Sequence, residues 1–327
     1  MKNQEQFKTT IGGQALIEGI MMRGPEKDAV VIRGEEGLTV EQSDRKIRPK
    51  DSPLNWPLIR GVVTFFDAQV CGVKALMRSA EFIPEEQQEA PSKLDLWLEK
   101  KLGDKKFQNF VVGLAVFMGL GLSILLFFLL PMIISGLLDR WIRNMLVLNL
   151  LEGLIRIVIF GVYMVLVSRM PDMKRVFSYH GAEHKTIRCY EAGLTLTVEN
   201  VRKQTRLHPR CGTSFLLVVM VISILLFSVA STVLVTIVPA LSAMHGSFLY
   251  RLIMIVFKLL LLPVVVAISY EINRFVGRHD NAVCRILTGP GMWMQKLTTN
   301  EPDDSMIEVG IAALEAVLPK EEGTDRW

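Results

Sequence analysis

Four long apolar blocks constrain this chain more than any other feature of its sequence. They run over residues 110–138, 145–167, 214–243 and 252–270, and the first and third contain no charged residue. A helix needs about 20 apolar residues to span a bilayer. The blocks therefore predict an all-α polytopic membrane protein with about four transmembrane helices. A small cytoplasmic α/β layer containing an N-terminal β-hairpin is expected to complete the fold.

The orientation of the spans follows from the Lys and Arg residues between them, because cytoplasmic loops carry an excess of both. Two such residues separate the first pair of blocks and one separates the last pair, whereas the 169–213 loop is rich in them. The loop and both termini are therefore predicted to be cytoplasmic. The first ten residues are polar, so no cleavable signal peptide is expected. The basic residues of the loop are Arg169, Lys174, Arg175, Lys185, Arg188, Arg202, Lys203, Arg206 and Arg210.

This topology divides the chain into five segments. Three are cytoplasmic, and two hold the paired spans. The segments are a cytoplasmic N-terminal region (1–107), spans one and two (108–168), a cytoplasmic loop (169–213), spans three and four (214–275) and a cytoplasmic tail (276–327).

Two patterns in the first 45 residues indicate local structure. The glycine-rich segment 12–25 is expected to form a shaped loop, because closely spaced glycines are typical of tight turns. Its spacing matches no nucleotide-binding motif. Apolar residues on both sides of Gly34-Glu35-Glu36-Gly37 predict a β-hairpin.

Outside the spans, two segments have the periodicity of amphipathic helices. Over 58–79 apolar residues recur at helical spacing, and this helix is expected either to lie on the membrane or to pack in the cytoplasmic layer. The acidic segment 84–91 is expected to be a linker. Near the C-terminus, Gly289-Pro290-Gly291 predicts a turn, and Asp303 precedes a second amphipathic helix.

Three ionisable residues interrupt the apolar blocks. Glu152 and Arg156 are four residues apart and so share a helix face, and Lys258 lies in the fourth block. A charge at the bilayer centre costs about 2.5–3.5 kcal/mol on insertion scales, so such groups need partners. We predict that Glu152 pairs with Arg156, Lys258 or both, either as structural glue or as part of an ion path.

One cluster in the 169–213 loop has the spacing of a catalytic metal site. Pro171 and Asp172 can begin a helix that Gly193 ends, and the H-x-x-E-H motif lies inside it. Two histidines four residues apart lie on one helix face and can bind one metal ion. His180 and His184 are the predicted ligands, and Glu183 is the predicted general base.

Further ligands are expected from the segment before the third span, where His208 and Cys211 are three residues apart. Either could be the third ligand, or both could close a structural tetrad. Glu191 shares the helix face but lies about 10.5 Å from His184 along the axis, too far to bind the same ion. It is expected to support the site without ligating. Zinc is the expected metal, since His and Cys suit it.

The residues of segments 12–25, 179–191, 208–215 and 298–314 resemble the YqhQ-like family of bacterial membrane proteins. These proteins are of unknown function and are described as predicted metal-dependent enzymes. The resemblance covers nearly the whole chain and implies the bacterial inner membrane. The positions of this chain that match the family's pattern are His180, Glu183, His184, Glu191, His208 and Cys211.

Together these features favour a membrane-embedded, metal-dependent enzyme, hydrolytic in type, with its site on the cytoplasmic face. The alternatives are a non-enzymatic scaffold with a structural metal site and a transporter that uses the intramembrane charges. The lipid bilayer is the expected partner, along with a membrane protein or a second copy of the chain. A net charge of +4 gives no reason to expect nucleic acid. The four scattered cysteines show no disulfide framework.

Overall fold

Within the described part of this computed structural model, four helices are long and apolar enough to cross a membrane. They are Gly113–Leu138, Met145–Val167, Gly212–Ile237 and Phe248–Arg278. These helices confirm the predicted fold class, a mainly helical membrane protein with a small antiparallel sheet. The structure describes residues 7–45, 48–49, 51–82, 104–138, 141–142, 144–244, 246–279, 281–321 and 323–326, so the expected linker lies outside it.

Eleven α-helices are numbered along the described residues. A π-helical segment, Leu125–Leu129, joins α2 to α3, and these together form the first apolar helix. The helices are α1 (Ile59–Ala80), α2 (Asp104–Ile124), α3 (Leu130–Leu138), α4 (Met145–Val167), α5 (Pro171–Glu191), α6 (Val198–Arg202), α7 (Gly212–Ile237), α8 (Pro239–Ala243), α9 (Phe248–Arg278), α10 (Ala282–Thr298) and α11 (Asp304–Glu315).

Four antiparallel strands form one sheet in the order 1-2-3-4. They are β1 (Gly12–Leu16), β2 (Gly19–Arg23), β3 (Lys27–Gly34) and β4 (Gly37–Asp44). The hairpin predicted around residues 34–37 is confirmed as β3–β4. The glycine-rich segment, by contrast, is not a loop, since it forms β1 and β2.

Steric crowding explains Gly13 in β1 and Gly19 in β2. A Cβ atom at Gly13 would lie 2.6 Å from the Met21 carbonyl oxygen, and one at Gly19 would lie 2.5 Å from that of Val31. The glycines are therefore needed for close strand packing, which a sequence pattern cannot distinguish from a need for tight turns.

The sheet packs against α5 and α11 around one apolar core. The H-x-x-E-H helix thus has one face in this core, which confirms that the segment 171–191 is helical. The second amphipathic helix is confirmed as α11, whose first turn is capped by the Asp303 side chain. The core comprises Ile11, Ile20, Met22, Ala29, Val31, Tyr179, Ala182, Ile187, Met306, Val309, Ala313, Leu314 and Val317.

The turn predicted at Gly289-Pro290-Gly291 is wrong, because all three residues lie inside α10. Gly291 allows a close approach to the start of α7. A Cβ atom at this position would lie 2.5 Å from Oγ of Ser214. Gly291 therefore serves helix packing, and the continuous helix carries Gln295 and Thr298 towards the 208–211 segment.

The chain forms two compact units. The candidate metal centre belongs entirely to the first unit, and the residues Glu152, Arg156 and Lys258 belong to the second. The first unit combines Met1–Ile83, Tyr163–Ile222 and Leu262–Trp327, and the second combines Pro84–Val162 and Ser223–Leu261.

Candidate metal centre

Helix α5 presents two histidines to one point. His180 and His184 are one helical turn apart, and their ring centroids are separated by 4.3 Å. Between them, Gly181 lets the C-terminal segment approach, since a Cβ atom there would lie 2.0 Å from the Asn300 carbonyl oxygen. This close approach brings the end of α10 against the histidine face of α5.

Each of the two imidazole rings is hydrogen-bonded through its Nδ1 atom to a backbone carbonyl. Nδ1 of His180 donates to the Thr298 carbonyl over 2.8 Å, and Nδ1 of His184 donates to the Arg206 carbonyl over 2.6 Å. A carbonyl only accepts, so each Nδ1 carries a proton, and Nε2 is the ring nitrogen that each histidine turns towards the cluster. Metal-binding histidines are held in this way, with one nitrogen fixed by a hydrogen bond and the other free to ligate.

The third group is Cys211, the residue immediately before α7. Its Sγ atom lies 3.1 Å from Nε2 of His180. The ligand atoms of His180, His184 and Cys211 all lie within 4.8 Å of one another. With zinc–ligand bonds of about 2.0–2.3 Å, donors of a tetrahedral site are about 3.5 Å apart. Small side-chain shifts would therefore bring these three groups to one zinc ion.

The Cys211 thiol and the His180 imidazole shift each other's pKa. Burial opposes ionisation of the Cys211 thiol, but the imidazoles of His184 and His180 outweigh it and hold the pKa well below its usual value of 9.0. Burial likewise opposes a charged His180, but the Cys211 sulfur outweighs it and raises the imidazole pKa to about 9. Cys211 and His180 therefore form a thiolate–imidazolium pair, and a metal ion that bound here would displace the Nε2 proton of His180.

Two buried polar atoms beside this cluster support the fit of a cation. Among the described residues, Nε2 of His184 and Oε2 of Glu183 have no hydrogen-bond partner. Buried polar groups are nearly always satisfied, so an unsatisfied pair indicates a missing ligand or water. Burial raises the pKa of Glu183 above its usual value, against the opposing effect of His180 and His184.

His208 lies next to this group but faces another residue. Its Nε2 atom is 3.2 Å from Oε2 of Glu191, and the other oxygen of that carboxylate, Oε1, accepts from Arg210 and from the Thr9 amide. Burial is the main reason that the pKa of His208 falls to about 4, so this ring is neutral at pH 7. The structure thus brings Cys211 to the two α5 histidines and pairs His208 with Glu191.

A cavity of about 290 Å³ opens beside the cluster. Glu183 and His184, the two residues with an unsatisfied buried atom, line its wall. Cys211 lines it as well, so a small molecule in the cavity can reach the metal position. Its polar wall includes Arg23, Arg45 and Arg210, and the remaining lining residues are Thr10, Ile11, Gly12, Gly13, Thr64, Ala68, Ile187, His208 and Gly212.

Sequence reasoning missed the groups that arrive from the C-terminal region. The Gln295 amide accepts from the His208 backbone N–H over 2.8 Å and donates to the His208 carbonyl over 2.7 Å. This pair of bonds fixes the 208–211 segment. No motif marks Gln295 or the Thr298 carbonyl, and the predicted turn at residues 289–291 separated both from the site.

The predicted pairing of intramembrane charges is confirmed in the second unit. Oε1 of Glu152 accepts from Arg156 over 2.9 Å and from Lys258 over 2.6 Å. Glu152, Arg156 and Lys258 are 5%, 6% and 3% exposed, so all three are buried. One carboxylate therefore pairs with two cations, as expected for charges inside a membrane.

The fold is that of a multi-pass membrane protein, and the site is a cluster of two histidines and one cysteine whose geometry could hold a metal ion. A family model described as a protein of unknown function, DUF1385, matches residues 56–320. The chain therefore belongs to the DUF1385 family. It is also 32% identical over 319 residues to the uncharacterized protein YqhQ of Bacillus subtilis (strain 168), covering 94% of this chain and 92% of that protein. No solved structure matches the chain.

Proposed function

We propose that this protein is a zinc-dependent hydrolase of the bacterial cytoplasmic membrane, with its site on the cytoplasmic face. The observation that carries the proposal is the free Nε2 of His184, which is buried beside Nε2 of His180 and the Cys211 thiolate. Three protein ligands leave a fourth zinc position open, which is the arrangement of catalytic zinc sites.

Each residue then has a defined role. The two histidines and Cys211 would hold the ion, and zinc supplies Lewis-acid activation of water when it is bound. Glu183 faces the same cavity, and a nearby cation favours its carboxylate form. Its Oε2 atom is then positioned to accept a proton from the attacking water and to return it to the leaving group.

The cytoplasmic orientation rests on charge. The segment that carries α5, α6 and the cysteine holds nine Lys and Arg residues within 169–213, and the short connections on the other side hold three in total. Positive charge in short loops marks the cytoplasmic side. The substrate would enter the cavity from the cytoplasm or the inner leaflet, and both lipids and peptides are compatible with this entry.

Metal analysis tests the proposal first. Protein purified without chelator should contain about one zinc ion per chain, and the His184→Ala variant should lose it. His279→Ala is the matched control, since His279 is exposed immediately after α9 and far from the cluster in the chain. Equal zinc content in the wild type and the His184→Ala variant would end the proposal.

The Glu183→Gln variant separates an enzyme from a scaffold with a structural zinc. It should keep its zinc, because Glu183 is not one of the three clustered ligands. Incubation with membrane lipid extracts and peptide libraries, read by mass spectrometry, should give products with the wild type and none with the variant. X-ray absorption that shows four nitrogen and sulfur donors would favour the scaffold, because a catalytic site keeps one oxygen donor.

A further inference from the structure

Helix α1 packs against its own domain through small residues. Gly61, Gly72, Ala75 and Ser79 are its buried positions. Gly72 lies against the side chain of Gln14, where a Cβ atom would come within 2.2 Å of the amide oxygen. The helix therefore uses the face with the least apolar area to contact the sheet.

The opposite face of α1 carries large apolar side chains that the described residues leave exposed. They recur at helical spacing, and their exposed fractions run from 39% to 58%. A soluble domain rarely leaves an apolar strip of this kind open, so such strips mark interaction surfaces. We name this set the apolar strip: Ile59, Phe66, Val70, Val73 and Met77.

Contacts with α9 place the start of α1 at the membrane boundary. Arg60 forms an ion pair with Glu271, and Gly61 packs against the Tyr270 ring. Helix α9 has 31 residues, about 46 Å, so it exceeds a hydrocarbon core of about 30 Å. Glu271 is the twenty-fourth of these residues, about 35 Å from the start, and so lies at the headgroup level.

Contacts with α7 independently place α1 at the same depth, the headgroup level. The Phe65 ring lies 6.3 Å from that of Phe215, which is only the fourth residue of α7. Two spanning helices therefore contact α1 near their ends, not near their middles. Trp56, which precedes α1, is 60% exposed, and tryptophan is enriched at membrane interfaces.

We propose that α1 lies in the plane of the membrane interface, with the apolar strip inserted at the boundary between headgroups and acyl chains. The partner is the lipid leaflet in which α7 begins and α9 ends. Lys74 is exposed beside the strip and can reach lipid phosphates, as lysines of interfacial helices do. This inference does not depend on the metal centre.

One geometric consequence concerns the cavity of the metal centre. Thr64 and Ala68, on the domain side of α1, line that cavity. The helix is thus the single layer between the cavity and the lipid, about 10 Å thick. If the proposed function holds, a substrate from the headgroup region would have to pass only the edge of this helix.

Photo-crosslinking of the full chain in nanodiscs tests the inference. The residue p-benzoylphenylalanine is placed at Val70 in the strip, at Leu260 in the spanning part of α9, or at Val40 on β4. Nanodiscs contain phosphatidylcholine and phosphatidylglycerol, and mass spectrometry measures lipid adducts. Val70 and Val40 are matched, because both are apolar and 53% and 47% exposed.

We expect Val70 to give lipid adducts at the level of Leu260, and Val40 to give only background. Adduct formation at Val70 no higher than at Val40 would overturn the inference. So would crosslinking of Val70 to a second protein chain in place of lipid. All three positions are exposed, so the replaced side chain leaves the fold intact, and size-exclusion chromatography checks this directly.

Discussion

Arg156 donates from Nε to the carbonyl oxygen of Phe127 over 2.7 Å. Pro131 stands four residues after Phe127 and has no N–H, so it cannot make the helical bond that this carbonyl would receive. The π-helical segment at residues 125–129 lies at the same place. A proline that removes one helical donor thus leaves an acceptor for a buried guanidinium.

Arg156→Lys should destabilise the protein although the charge is kept. A lysine lacks the planar fork with which Arg156 contacts the Phe127 carbonyl and Glu152 together, and it loses the stacking on Phe128 and Phe227. We expect a loss of about 1–3 kcal/mol in the free energy of unfolding. Unfolding by SDS in detergent micelles measures it. The exposed Arg285→Lys should be neutral, and equal stabilities of the two variants would contradict the prediction.

Glu152→Gln should be the most damaging single change in the charge cluster. It leaves the buried Arg156 and Lys258 without an opposite charge, and breaking a buried pair costs about 3–5 kcal/mol. Lys258→Met should cost much less, because the ion pair of Glu152 with Arg156 remains. The same SDS unfolding assay compares both.

A double variant controls for the loss of the carboxylate itself. Glu152→Gln combined with Lys258→Met leaves one cation in place of two, so it should be more stable than Glu152→Gln alone. A double variant that is less stable than either single variant would show that the side chains act through packing and not through charge.

Gly181→Ala should destabilise the fold and weaken zinc binding together. The added Cβ would meet the Asn300 carbonyl at 2.0 Å and push the end of α10 away from His180. Overpacking costs about 1–3 kcal/mol, which exceeds the gain of about 1 kcal/mol expected from helix propensity. Thermal unfolding and zinc content are the measurements.

The matched control is Gly161→Ala in α4. A Cβ atom at this position meets nothing within 4 Å, and the residue also lies inside a helix. It should be neutral or slightly stabilising. A Gly181→Ala variant that behaves like Gly161→Ala would show that the C-terminal segment can withdraw without harm.

The stability provided by Glu191 should depend on pH. Burial opposes its charge, but hydrogen bonds from His208 and attraction by Arg210 outweigh it, so its pKa lies below the usual 4.5. A carboxyl with a lowered folded pKa stabilises the protein above its unfolded pKa and loses this as the pH falls through the folded value. Glu191→Gln should therefore be less stable than wild type at pH 7, by about 1–3 kcal/mol.

This difference should shrink as the pH falls below about 4.5, because the unfolded carboxyl then becomes protonated while the folded one is still charged. Chemical unfolding of both proteins between pH 7 and pH 3 follows the change. Glu199→Gln is the comparison, because Glu199 is exposed on α6 and forms its ion pair with the exposed Lys203 at the surface. A difference for Glu191→Gln that stays constant over this range would refute the role of its charge.

Local features of the sequence were sufficient to predict the spans, the β3–β4 hairpin and the motif helix. Apolar length and helical spacing are properties of neighbouring residues, so no tertiary information is needed. The pairing of Glu152 with Arg156 and Lys258 was also predictable, because a bilayer leaves buried charges few other partners.

The parts that sequence analysis missed depend on contacts between distant segments. The Thr298 carbonyl lies 118 residues from His180 along the chain, and neither residue type indicates the other. Two predictions from glycine, the loop at residues 12–25 and the turn at residues 289–291, were wrong. Close backbone packing and turn formation both select glycine, so the residue type alone does not distinguish them. The sequence also left open whether His208 or Cys211 joins the two histidines. The structure answers this, because it pairs His208 with Glu191.

The hydrogen bonds that orient the two imidazole rings are made to main-chain atoms, the carbonyl oxygens of Thr298 and Arg206. Replacing either of these side chains leaves its carbonyl in the chain, so an alanine scan would pass over both groups that orient the rings. A truncation before residue 298, by contrast, would expose this dependence. It would keep every proposed zinc ligand and remove the Thr298 carbonyl, one of the two groups that orient the rings.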